Sequence, residues 1–220
     1  MSLFHIDAHR SAEAAQVLLG SSLDGLLVTD AYASYNSITV TARQSCLAHL
    51  LRKAKELVQE MELLKQPEAA SLRLCRRLKK LFQLACRKTI PPGKRARQEL
   101  RDRFLRVLDR ICEKPVVHPK AETFRKRFLP TAREHGEVFA IIQTDGPPTN
   151  NHAERALRPL VIFRKVCLGT RSATGSENLS VLGSLTQTAK LQNAPLVNTF
   201  QSLLTGSPAQ TQDLIFNDSS

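Results

Sequence analysis

The 220 residues carry 32 Lys and Arg against 20 Asp and Glu, a formal net charge of +12, with 42% hydrophobic residues, 9 Phe, 2 Tyr and no Trp. That is enough apolar material for a sizeable core, and the one-sided charge points to a polyanionic partner rather than to a neutral scaffold. No apolar run approaches the roughly 20 residues of a membrane span, and five Cys, an odd number without paired spacing, exclude a disulfide framework and predict the cytoplasm as location.

The first predicted element is short. Leu3-Phe4-His5-Ile6-Asp7 reads as a strand ending in an acid. Gly25-Leu26-Leu27-Val28-Thr29-Asp30 is a second apolar run, of a length that suits a buried strand of an α/β sheet. Asp30 then stands at the strand's carboxyl end, where such sheets gather ligands and catalytic groups. The plainer reading is an Asp that opens a turn ahead of Tyr32 and Tyr35.

Helical periodicity takes over next. Leu47, Leu50, Leu51, Ala54, Leu57, Val58 and Met61 form one stripe, with Arg52, Lys53, Lys55, Glu56 and Glu60 opposite. Leu74, Leu78, Leu81, Phe82 and Ala85 form a second stripe, and Leu100, Phe104, Val107, Leu108 and Ile111 a third, with Pro91-Pro92-Gly93 separating them. A last helical segment over residues 124–139 is interrupted near Pro130.

This helical region holds the charge. Residues 44–135 carry 24 Lys and Arg against 10 Asp and Glu, so the rest of the chain is slightly acidic. Such asymmetry is expected of a phosphate-binding surface. Arg73, Arg76, Arg77, Lys79 and Lys80 are its densest run, which could equally be a solvated helix face. With so few aromatic side chains, base stacking is not the expected mode of contact.

Pro147-Pro148 then lead into Thr149-Asn150-Asn151-His152-Ala153-Glu154-Arg155-Ala156-Leu157-Arg158-Pro159. Thr149, Asn150 and Asn151 can cap a new helix, and Pro159 limits how far it runs undistorted. Glu154 sits in the first turn, where the helix dipole favours its ionised form, with Arg158 one turn on. A capped surface helix with an ion pair is the plainer alternative. Leu160-Val161-Ile162-Phe163 reads as buried, Arg164-Lys165 add two cations, and residues 169–177 read as a polar loop. Leu179, Leu182, Leu185 and Ala189 suggest a closing amphipathic helix, and residues 206–220 a disordered tail.

Taken together, Thr29-Asp30-Ala31-Tyr32, Cys46-Leu47-Ala48-His49-Leu50-Leu51-Arg52-Lys53, the Asn150 to Pro159 block, Phe163-Arg164-Lys165, Gly175-Ser176-Glu177 and the segment from Ser184 to Leu191 resemble the insertion-sequence sixty-six family of bacterial transposases in order and spacing. The resemblance implies an α/β, ribonuclease H-like catalytic domain with an Asp-Asp-Glu site, in which Asp30 is the second acid and Glu154 the third. Their separation of 124 positions is too long for a loop, which agrees with a large all-helical insertion. The expected organisation is a partial ribonuclease H-like sheet over 1–43, a basic helical insertion over 44–140, and the Glu154 helix with the rest of the catalytic domain over 141–205.

The resemblance also implies site-supporting roles for Tyr32, Cys46, His49, Asn150 and Asn151. DNA contacts are expected from Arg52, Lys53, Arg155, Arg158, Arg164 and Lys165. Cys46 and His49 as half of a zinc site is a weaker reading, because no second close pair follows. In complete members the first catalytic Asp lies upstream of the region that aligns with Met1. The expectation is therefore a truncated copy whose fold is incomplete at the N-terminus and whose strand at Asp30 lacks a neighbour. In the resemblance residues 3–7 correspond to a later strand, ahead of a helix over 11–19, so Asp7 is a poor substitute for the missing acid, and Asp24 and Asp145 read as turn residues beside Gly25 and Gly146.

Cutting and rejoining a phosphodiester requires a strong oxygen nucleophile and relief of charge on the leaving oxygen, which paired divalent ions supply. Magnesium needs few carboxylates because it keeps waters and binds substrate phosphate; Mn²⁺ is an acceptable substitute. The expected function is Mg²⁺-dependent DNA strand cleavage and transfer. The alternative is an inactive remnant that binds DNA or a partner. Expected partners are DNA and a second copy or full-length transposase, with no membrane.

Overall fold

The computed structural model describes every residue except 8, 10, 31, 65–67 and 217–220. In chain order it contains α1 (Ala12–Leu19), β1 (Ser22–Thr29), β2 (Thr39–Ser45), α2 (Leu47–Glu62), α3 (Ala69–Arg87), α4 (Lys94–Cys112), α5 (Pro119–Lys126), α6 (Arg133–Glu137), α7 (Asn151–Cys167), α8 (Ala173–Leu191), α9 (Leu196–Thr205) and α10 (Pro208–Phe216). It is mostly helical, with one small parallel sheet among the described residues, which is compatible with the α/β class. The chain divides into two compact units, Leu19–Asn151 on one side and Met1–Leu18 with His152–Ser220 on the other.

In the Leu19–Asn151 unit, β1 and β2 pair in parallel from Ser22 opposite Thr39 to Thr29 opposite Ser45, with an irregularity between Leu23 and Leu26. Gly25 lies inside that irregularity at φ 147, a conformation that suits a residue without a Cβ. β2, rich in β-branched residues, is a strand that helical and motif reading passed over. Its Gln44 is fully buried and tethers the sheet to the helices: Oε1 accepts the Ile141 N–H at 2.8 Å, and Nε2 donates to the Val138 carbonyl at 2.8 Å. A buried amide with both ends paired fixes register without an unsatisfied group.

The helical stripes form this unit's core. α2 buries Leu47, Leu50, Ala54, Leu57, Val58 and Met61, and α3 buries Leu74, Cys75, Leu78, Leu81, Phe82 and Ala85, the face its spacing predicts plus one thiol and Ser71. Glu68 caps α3 by accepting the N–H groups of Ala70 and Ser71. α4 buries only Leu108, Ile111 and Cys112. Val107, assigned to its stripe, is 39% exposed, because a residue next to Leu108 on a 100° step falls at the edge of the buried arc. Phe128 closes the core against Phe82 and Phe124, with ring centroids 5.4 and 5.1 Å apart.

In the other unit, residues 2–6 lie extended along α8, and the contact is polar. The N–H groups of Ser2, Phe4 and Ile6 donate to Thr188 Oγ1, Ser184 Oγ and Ser180 Oγ at 3.1, 2.8 and 3.0 Å. Every second residue of an extended chain advances about 6.6 Å and every fourth of a helix about 6 Å, so three successive donors meet three successive hydroxyls. Gly183 permits this approach, since a Cβ there would stand 3.2 Å from the Phe4 ring. The buried face of α8 is thus Ser180, Thr188 and Ala189, whereas Leu182, placed in its apolar stripe by the sequence, is 47% exposed.

Three further expectations change in this unit. α7 continues through Pro159 to Cys167, although Pro159 has no N–H to donate to the preceding turn; Arg155, four residues earlier, is exposed. Val161, Ile162 and Phe163 are therefore helical, and 40%, 58% and 38% exposed rather than buried. The polar loop is shorter than predicted, because Ser172 accepts the Gly175 N–H at 3.0 Å and starts α8 at Ala173. Where composition predicts a disordered tail, Pro208–Phe216 is helical and contacts α9; residues 217–220 lie outside the described residues.

Candidate active site

Asp30 follows β1 directly and is exposed. Its Oδ1 accepts the Tyr32 N–H at 3.2 Å, which fixes the carboxylate at the carboxyl end of the parallel pair. Tyr32 stands edge-on to Tyr35, centroids 6.3 Å apart. Ala31, between them in the motif, lies outside the described residues.

Cys46 joins three segments at this end of the sheet. Its N–H donates to the Thr29 carbonyl at 2.7 Å, its sulfur accepts the Asn150 N–H at 3.4 Å, and the next residue, Leu47, donates to the Pro148 carbonyl at 3.1 Å. The thiol is 1% exposed at the head of α2, with His49 half-buried one turn along. The Asn150 side-chain Oδ1 is buried without a hydrogen-bond partner, and Asn151 begins α7. Gly146 keeps this loop close to β1: a Cβ there would come within 2.3 Å of the Leu26 side chain.

Arg52 and Lys53 lie exposed on α2, and Lys53 reaches Glu56 at 3.8 Å. In the unit formed by His152–Ser220 with the N-terminus, Glu154 occupies the first turn of α7 and is half-buried; Arg155 and Arg158 are exposed. Arg164 and Lys165 are exposed in the last turn of the same helix, near its negative end. Asp30 and Glu154 thus belong to different units.

The other acids are engaged elsewhere. Asp24 accepts the Thr41 hydroxyl at 2.7 Å and ties β1 to β2, and Asp145 pairs with Arg97 at 2.7 Å. Asp7 accepts the His9 N–H, which holds its carboxyl below the usual range, with His5 3.5 Å away. Glu137 was not singled out by the sequence. It is buried against β2, 3.5 Å from the Ser45 hydroxyl and 3.6 Å from Arg43, with Arg133 at 3.1 Å. Burial raises its carboxyl's pKa, and the two arginines oppose the rise. Its only sequence signal is the i,i+4 spacing from Arg133.

Among the described residues no three of His, Cys, Asp and Glu gather closely enough to hold a metal ion. In kind, the exposed Asp30 carboxylate suits a hard divalent ion that keeps most of its waters. Cys46 is committed to backbone contacts, which argues against zinc at the Cys46–His49 pair.

An acid closing a parallel strand, a second in the first turn of a helix, and a strongly basic helical body between them point to the transposase class. The chain belongs to the Transposase IS66 family, whose family profile matches residues 1–178, from the extended N-terminal segment into α8. No curated protein and no solved structure matches it. Membership makes transposition its process and DNA its partner. Among the described residues no helix is long and apolar enough to cross a membrane.

Proposed function

We propose that this chain is the part of a transposase that brings Asp30 and Glu154 to an Asp-Asp-Glu site on a ribonuclease H-like domain, for metal-dependent DNA strand cleavage and transfer. The observation that carries the reading is Asp30 itself: an exposed carboxylate held by a backbone N–H at the carboxyl end of a parallel strand, within the span matched by the family. Asp30 and Glu154 would hold Mg²⁺, or Mn²⁺, which when bound supplies an activated oxygen nucleophile and charge relief at the leaving oxygen.

The chain's own residues do the rest. Tyr32 orients the Asp30 carboxylate through its N–H. Cys46 fixes the segment that enters α7, and His49, Asn150 and Asn151 take supporting roles. Arg155 and Arg158 neutralise phosphate beside Glu154, and Arg52, Lys53, Arg164 and Lys165 bind the DNA backbone. Helices α2–α6 form an insertion between the two acids. β1 has no neighbour on its outer side among the described residues, and the remaining acid comes on a strand that pairs there. Action in the cytoplasm, as an assembly with a second copy or a longer transposase chain, completes the reading.

The test is strand cleavage and joining on DNA bearing family-type ends in Mg²⁺, with the chain alone and joined to a segment supplying the further Asp-bearing strand. Activity is expected in the joined form, and Asp30→Asn or Glu154→Gln should abolish it while leaving DNA affinity within about threefold, since neither removes a phosphate contact. A joined form that binds DNA and never cuts it leaves the remnant alternative standing. Undiminished cleavage by Glu154→Gln removes Glu154 from the site.

A further inference from the structure

α3 differs from the other long helices. It carries Arg73, Arg76, Arg77, Lys79, Lys80 and Arg87 and no acid at all. α4 carries more cations, but Glu99, Asp102 and Asp109 interrupt them. Where α3 packs on α2, an open groove of about 540 Å³ runs between the helices, lined by Lys55, Gln59 and Glu62 of α2 and Arg76, Lys79 and Lys80 of α3. Glu62 pairs with Arg76 at 2.7 Å. Among the described residues Lys55, Lys79 and Lys80 have no acidic partner. Lys55 and Lys80 are exposed and Lys79 half-buried.

We infer that the α2–α3 groove is a docking surface for the sugar-phosphate backbone of duplex DNA. Charge complementarity names the occupant. Three ammonium groups without an acidic partner among the described residues face one groove, and no aromatic side chain among those residues lines it on which an unstacked base could lie. From Arg73 to Arg87 the cationic line of α3 runs about 21 Å, along which one strand of a duplex presents about six phosphates. Lysines are point charges without planar pairing geometry, so the contact positions DNA without reading its sequence. The purpose that follows is to hold flanking duplex while the ends are processed. This inference rests on the transposase reading for its partner and on the groove for its place.

The experiment measures the affinity of the full chain for a mixed-sequence duplex across a potassium chloride series. Lys55→Gln/Lys79→Gln/Lys80→Gln is compared with Arg103→Gln/Arg106→Gln/Lys126→Gln, which removes equal charge from exposed positions outside the groove. The groove variant should lose about 0.9 of the slope of log K against log salt for each lysine, and roughly tenfold or more in affinity at low salt, the control much less. In the unaltered chain, duplex should also protect these three lysines from an amine-acylating reagent and leave Lys126 reactive. Equal losses in both variants, no protection, or tighter binding of single strands would overturn the groove. A wild-type chain that binds no DNA at low salt would overturn the underlying reading as well.

Discussion

Asn150 donates its backbone N–H to the sulfur of Cys46 across 3.4 Å, and through that bond the cysteine heading α2 anchors the chain just before α7 begins. With Leu47 bonded to Pro148 and Cys46 bonded to Thr29, the end of β1, the start of α2 and the approach to α7 are tied at one point. A residue pair 104 positions apart thus does what no local motif can.

Cys46→Ala should lower stability by about 1–2 kcal/mol, from lost sulfur contacts and an unpaired Asn150 N–H. Cys46→Ser should recover part of the loss by keeping an acceptor. Thermal melting with both variants reads this directly; an unchanged melting point for Cys46→Ala would deny the anchor.

Glu122 gives the clearest pH dependence. Hydrogen bonds from Arg125, at 2.7 Å to each carboxylate oxygen, hold its pKa at about 2 against the partial cost of burial, and the Val116 N–H assists. A carboxyl depressed on folding stabilises above its unfolded pKa of about 4.5 and loses that contribution as pH falls toward 2. The loss should be of order 2–3 kcal/mol at most. Denaturant midpoints should therefore fall between pH 4.5 and 2 in the wild type and be flatter there in Glu122→Gln. Parallel curves would contradict the assignment.

The hydroxyl ladder on α8 predicts a local effect. Replacing Ser180, Ser184 and Thr188 by Ala strips the acceptors from three N–H groups, at about 1 kcal/mol each. Amide exchange at Ser2, Phe4 and Ile6 should quicken markedly, while amides of α2 and α3 keep their rates. Unchanged exchange at those three amides would mean that the hydroxyls do not hold the segment.

Chelation should separate binding from chemistry. With exposed arginines and lysines as the proposed DNA contact, adding EDTA should leave duplex affinity within about twofold and stop strand cleavage in a form competent for it. Affinity that collapses with the metal would place the ion in the DNA-binding surface.

What the sequence determined by itself is what repeats locally. The faces of α2 and α3 were legible because apolar residues recur every three or four positions, and the face buried against a core is the one so marked. Asp30 was legible because an apolar run stops there, and Glu154 because prolines and capping residues announce a helix start. Tertiary structure alone decided the rest. Gln44 is as buried as the leucines because its two partners lie 94 and 97 residues away. Glu137 is drawn inside by arginines on two elements. α8 turns its hydroxyls rather than Leu182 inward because an extended segment some 180 positions away has backbone donors to satisfy. Side-chain polarity records what a residue is worth in water; which polar groups leave water depends on partners that only folding brings within reach.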